Sequence, residues 1–207
     1  MLRRTLFKRC ATATPAAETE GPLRYALPSR WLHWINGAGM ISCVSLVLGA
    51  QKGYPAWDKC TKEEAAAKTN LMFWHKSIGL SMLLVAVPRL ILRFTSVQPR
   101  KLPISSIEQM LGQASHTALY ALTIVLPLSG AIMGYFGPYG LPFFTTTLQP
   151  GSGKFGKALD GDIAGRAYNI HSKAGIALEY IIPLHVTAAV GHQFFQGVNI
   201  FTRVNPF

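Results

Sequence analysis

The chain carries six histidines, and their spacing is where its chemistry would lie. Three of them, His171, His185 and His192, sit on one mostly apolar run from Tyr168 to Gln193. A run of that length can cross a bilayer, which takes about 20 residues. A histidine inside such a segment is costly and marks a functional site by default. From His171 to His185 is fourteen residues, about 21 Å of rise at roughly 1.5 Å per residue. Fourteen steps of about 100° return nearly to the starting face, so both imidazoles share one stripe. One helix then offers two nitrogen ligands near opposite sides of the membrane. That arrangement suits two stacked haems, each taking a second histidine from another helix.

Composition selects the same class. The hydrophobic fraction is 49% and the charged fraction only 14%, against roughly 25% charged in soluble domains. The net charge of +11 does not point to nucleic acid, because the basic residues lie at the ends of apolar runs and in loops rather than in one compact basic domain. Three cysteines, Cys10, Cys43 and Cys60, form no CxxC or CxxCH motif. Zinc, iron–sulfur and covalently attached haem therefore lack sequence support, and scattered thiols give no disulfide framework.

Stepping along the chain, residues 1–21 alternate Arg3, Arg4, Lys8 and Arg9 with apolar residues and hold no acid before Glu18. This reads as a transit-like basic leader. Residues 22–207 read as one membrane domain with spans at about 31–50, 71–94, 112–135 and 167–195. The polar connection 51–70 contains an Ala-rich stretch suited to a short surface helix. The Gly- and Pro-rich loop 136–165 is longer than ordinary connections, which marks it as functional or as cover for a partner. The fold class expected is all-α, an integral membrane four-helix bundle running up-down-up-down and enclosing two b-type haems.

Counting spans assigns each histidine a side. If the first span starts on side one, His33 and His185 lie there, and His75 and His171 lie on side two. The ligand pairs are then His33 with His185 and His75 with His171. A small residue follows each of these histidines four positions later: Gly37, Gly79, Gly175 and Ala189. Such positions lie on the same helix face, one turn on, where a flat macrocycle could approach the backbone. His116 and His192 fall on side one, as interface residues or as proton carriers for a quinone headgroup. Arg89 and Arg93 are candidate haem-propionate partners on side one, against the alternative that they are basic anchors. Lys76, Arg166 and Lys173 are the corresponding candidates on side two. Glu179, within the fourth span, is expected to be buried or to face a polar lining, and to accept a hydrogen bond or take part in proton movement.

Charge bias sets orientation. Side one carries Arg24, Arg30, Arg93, Arg100, Lys101 and Arg203 against Glu108, whereas acids balance the lysines of side two. Side one is the cytoplasm-equivalent face, the matrix if the leader directs the chain to the mitochondrial inner membrane. A bacterial inner membrane or a plastid membrane is the alternative location.

The segments RYALPSRWLHW, FWHKSIGL with the later PRLILR, SHTALYALTIVLPLSGAIMGY, and HSKAG with LHVTAAVGHQFF together resemble the bacterial-type cytochrome b561 family of four-helix di-haem proteins. The resemblance covers Arg24 to Arg203. It implies that His33, His75, His171 and His185 are axial ligands, that two haem b groups bind non-covalently, and that a membrane quinone such as ubiquinone is an electron partner. Members of this kind exchange electrons between quinone and another donor or acceptor, superoxide being one such class. The long loop and the basic leader depart from a compact bacterial member. Two functions follow as expectations: a transmembrane electron carrier, or a haem-containing accessory subunit of a large respiratory complex. A transporter using the histidines as proton relays is the third, and four helices offer it little room. Expected partners are membrane lipids including anionic lipid, quinone, and other complex subunits or a homodimer partner, with no nucleic acid.

Overall fold

The computed structural model describes residues 21–148 and 159–207; the basic leader expected at 1–21 lies, apart from Gly21, outside the described residues. The four long helices are α1 Leu27–Lys52, α2 Lys62–Thr95, α3 Ser106–Phe136 and α4 Gly161–Phe195. All four are long and apolar enough to cross a membrane. Side-chain caps explain where α2, α3 and α4 start, while α1 has no side-chain cap and carries Pro28 in its first turn. Thr61 and Ser105 each open a capping box with the glutamate three residues on, Glu64 and Glu108, so that side chain and backbone satisfy each other's free N–H groups. Asp160 caps α4 by accepting from the N–H groups of Asp162 and Ile163, both at 3.0 Å.

Two features differ from expectation. The Ala-rich stretch before the second span is not a separate surface helix; the Thr61 cap makes it the first turns of α2. The loop 136–165 also contains structure that the all-α expectation omits. Strands β1 Leu141–Phe143 and β2 Thr146–Leu148 pair antiparallel, with Phe143 opposite Thr146. Gly140 and Phe144 turn the chain at φ values of 64° and 51°, the left-handed region in which glycine is at ease and phenylalanine is uncommon. A short helix, α5 Phe201–Val204, ends the chain.

α1 packs chiefly on α2, and α3 on α4, while α1 scarcely touches α4. The buried core joins the two pairs at mid-height: Met40, Met82, Leu126 and Leu178, flanked by Val44, Val85, Leu119 and Ile182. Each of the first two follows a histidine by one heptad, His33 and His75, and Leu178 lies one heptad from both His171 and His185. The histidine stripes therefore run into a shared apolar layer that separates the two ends of the bundle. Gly39 admits Met82 to this layer, since a Cβ there would meet the Met82 sulfur at 2.2 Å.

Both ends are closed by other parts of the chain. At the α1 start, Arg30 donates to the Asn205 carbonyl at 2.7 Å and the Trp34 indole to that of Val204 at 2.8 Å. At the opposite end, the hairpin is clamped to α2 by Ser77, which is fully buried. Its hydroxyl accepts from the Phe144 N–H at 3.1 Å and donates to the Pro142 carbonyl at 3.4 Å. Ser77→Ala leaves both backbone groups unpaired, at a cost of about 1–3 kcal/mol. Faster hydrogen exchange at the Phe144 amide, with the transmembrane helices unaffected, is the expected result.

Candidate functional site

At the hairpin end of the bundle, the rings of His75 and His171 lie 6.0 Å apart between centroids. α2 presents the first and α4 the second, from opposite sides of the gap between the helix pairs. Each ring is fixed by a carbonyl of the helix beside it. His75 Nδ1 is 2.9 Å from the Cys43 carbonyl oxygen, and His171 Nδ1 is 2.9 Å from that of Leu126. A carbonyl can only accept, so Nδ1 must carry the hydrogen in both rings, leaving each Nε2 with a free lone pair. This is the arrangement that orients a metal-ligating imidazole. Gly130 makes the second contact possible: a Cβ there would come within 3.1 Å of His171 Cε1.

At the other end, His33 and His185 lie 6.4 Å apart, and a third imidazole, His116 on α3, lies 5.4 Å from His185. Arg89 Nη2 approaches His33 Nδ1 at 3.4 Å. Guanidinium only donates, so this contact has His33 accepting at Nδ1, whereas iron ligation through Nε2 would need the hydrogen on Nδ1 and this long contact released. The Arg89 and Arg93 guanidinium groups both lie over the Tyr120 ring, at 5.2 and 5.6 Å from its centroid.

The fit of these residues to an iron macrocycle can be tested from geometry. With a first-row metal held about 2 Å from each nitrogen, and each nitrogen about 1.2 Å from its ring centre, two rings facing across one ion have centres about 6.4 Å apart. Both pairs match that separation. Among the described residues, no cluster of three or more His, Cys, Asp or Glu side chains could hold a bare ion. Two imidazoles suit a metal whose remaining ligands arrive with the cofactor. Space is present as well: a Cβ added at Gly37 or Gly175 would meet nothing within 4 Å. Gly79 differs, since a Cβ there would sit in ordinary contact with the Cys43 sulfur at 3.9 Å, so it faces α1 rather than open space.

The buried polar atoms are distributed unevenly. Those without a hydrogen-bond partner among the described residues are Arg30 Nε, Asn36 Oδ1, Arg89 Nε, Ser115 Oγ and Gln193 Oε1. All five belong to the His33 end of the bundle. That end combines unpaired donors and unpaired acceptors, as a site for a polar ligand or ordered water does.

The remaining candidates are less central. Lys76 donates to the Gly140 carbonyl at 3.4 Å and lies over Tyr139, so it is occupied in holding the hairpin turn. Arg93 donates to the Gln98 side chain. Lys173 and Arg166 are exposed. His192 Nδ1 lies 2.7 Å from Gln196 Oε1, and the Gln196 amide donates to Glu108, a surface chain that bypasses the paired rings. Glu179 is neither fully buried nor on a polar lining: its side chain is 33% exposed and forms an ion pair with Lys52 at 3.5 Å. Sequence reasoning did not find the carbonyls of Cys43 and Leu126 or the hydroxyl of Ser77. For the Leu126 carbonyl alone the sequence holds a signal, the glycine of the LPLSG stretch.

Residues 24–204 match the family model described as prokaryotic cytochrome b561. The match spans nearly the whole chain, and the protein therefore belongs to the cytochrome b561 family: a membrane redox protein with four spanning helices.

Proposed function

We propose that this family member holds two b-type haems, one between His33 and His185 and one between His75 and His171, and passes electrons across the membrane between the quinone pool and a second partner. The observation that carries this reading is the presence of two facing imidazole pairs, 6.4 and 6.0 Å apart, at opposite ends of one bundle. Bound haem would supply one-electron exchange, with each group held by one of the two histidine pairs. The chain's own residues do the rest. The Cys43 and Leu126 carbonyls hold His75 and His171 with Nε2 forward. The layer of Met40, Met82, Leu126 and Leu178 excludes water between the sites. Arg89 and Arg93 offset propionate charge at the His33 end, Lys173 and Arg166 at the other, and Gly37 and Gly175 leave room for the macrocycle.

The unpaired donors and acceptors near Arg89 and Ser115 support a quinone headgroup at the His33 end. His116 and His192 are the imidazoles nearest that end for exchanging its protons. Glu179 is given no part in that path, because Lys52 already compensates it.

A second reading has its own support. α4 fully buries only Ala164, Ala167 and Leu178, while Tyr168, Ile170, Ile176, Tyr180, Leu184 and Phe194 are exposed. So broad a free face suits a haem-carrying accessory subunit of a larger membrane respiratory complex, packed against other subunits as well as lipid. For location, the prokaryotic description of the family favours a bacterial inner membrane, and the transit-like leader favours the mitochondrial inner membrane. Either way the basic excess places the N-terminus on the cytoplasm-equivalent face.

Quinol oxidation by the purified holoprotein in liposomes separates the two functions. An electron carrier shows haem reduction by ubiquinol within seconds and reoxidation by an added acceptor. Bound haem that no quinol reduces would leave the accessory role as the better account.

A further inference from the structure

α3 and α4 run antiparallel in a register that sets the two ends side by side. Gly130 lies against His171, and His116 against His185; both pairs are fourteen residues apart on their own helices. Thr123 and Leu178 are the matching midpoints of those two intervals. At the Gly130 level there is no side chain, so the His171 ring reaches backbone and donates to the Leu126 carbonyl, four residues before Gly130. At the His116 level a ring occupies the equivalent space. His185 makes no hydrogen bond to a carbonyl among the described residues; its ring contacts are His33 and His116.

We infer that His116 is the positioning residue of His185, its imidazole nitrogen accepting the Nδ1–H that a backbone carbonyl accepts in His75 and His171. The separation fits this role. Two imidazoles joined by an N–H···N bond of about 2.9 Å have centres about 5.3 Å apart; these rings stand at 5.4 Å and 64° without that bond, so the bond forms by a turn of the two rings, with no movement of the helices. The inference rests on the haem reading above and adds to it a residue on a helix that supplies none of the four proposed ligands. An acceptor on Nδ1 makes an imidazole a more basic ligand. A more basic ligand stabilises the oxidised iron, so loss of the acceptor raises the potential of that haem alone.

The test is a redox titration of the holoprotein, followed optically and by the low-spin ferric resonance signals. His75→Ala, which leaves the His33/His185 site alone, assigns each potential to its end. His116→Ala is expected to shift the ratio of oxidised to reduced iron at the His185 haem about tenfold, about 59 mV upward for one electron, with the His171 haem unmoved. His116→Gln, whose amide oxygen also accepts, is expected to stay near the parent value. An unchanged potential in His116→Ala, an equal shift of both haems, or a glutamine variant that behaves like alanine would overturn the inference. If alanine loses the haem outright, retention at the parent potential in His116→Gln supports it and loss in both variants overturns it. Absence of haem from the unaltered protein is a separate outcome: it removes the haem reading, and this inference with it.

Discussion

Alanine at His75 is expected to leave one haem per chain where the unaltered protein binds two, as measured by pyridine haemochrome against protein concentration. The effect is large because it removes half of an axial pair whose partner ring is already fixed. His171 stays bonded to Leu126 and cannot turn to recruit another ligand. Among the described residues, no other imidazole makes a ring contact with His171. Loss of an outer-shell partner alone costs about 10–100-fold in metal affinity, and loss of the ligand itself exceeds that. His33→Ala should likewise leave one haem, that of the His75/His171 site, because the ring contact of His116 is with His185, the ligand that remains, and not across from it. Two haems with unaltered low-spin spectra in His75→Ala would contradict the pairing.

Leucine at Gly175 should empty the same site without touching a ligand. A Cβ at Gly175 meets nothing within 4 Å, so the chain without cofactor accepts the larger side chain. The space it enters lies one helical turn from His171, where the macrocycle would lie. Forcing extra methylenes into an occupied space costs about 1–3 kcal/mol, roughly 5–150-fold in haem affinity. Gly165→Leu is the control: the space beside it is equally open, but it lies away from the paired rings. Selective loss of the His75/His171 haem in Gly175→Leu, with the control unaffected and the thermal midpoint without haem unchanged, is the expected pattern. Equal haem content in both variants would show that Gly175 is not part of the cradle.

The features that could be read from the sequence are those that depend on one helix at a time. The fourteen-residue interval on α4 and the alternation of spans were enough to anticipate which rings meet. The features that could not be read depend on what stands opposite. The Leu126 carbonyl is free to receive His171 only because Gly130 has no side chain, and nothing in either segment shows that they are neighbours. Gly37, Gly79 and Gly175 look alike in sequence, yet Gly79 lies against the Cys43 sulfur while the other two face open space. The early start of α2 was a different kind of omission. Thr61 and Glu64 spell out the cap, but the polar first turns hide it from a search for apolar runs. The hairpin was masked in a similar way by the turn residues around it. Glu179 read as an acid that is buried or faces a polar lining because Lys52 is far away in sequence and on a helix that hardly packs against α4.

The chain is built as two helical pairs, and the proposed ligands divide between them. His33 and His75 belong to the first pair, His171 and His185 to the second. Every haem would therefore draw one ligand from each half and act as a rivet between them. The anchoring bonds of His75 to Cys43 and of His171 to Leu126 lie within a half, so each half can be shaped before any cofactor arrives. Biogenesis then has a natural order: two hairpins inserted independently, and closed onto each other by haem as the last component. The segment between α2 and α3 serves only as a tether in that scheme. A gene split there would yield two fragments that the shared apolar layer brings together in the membrane and that haem, when supplied, would lock.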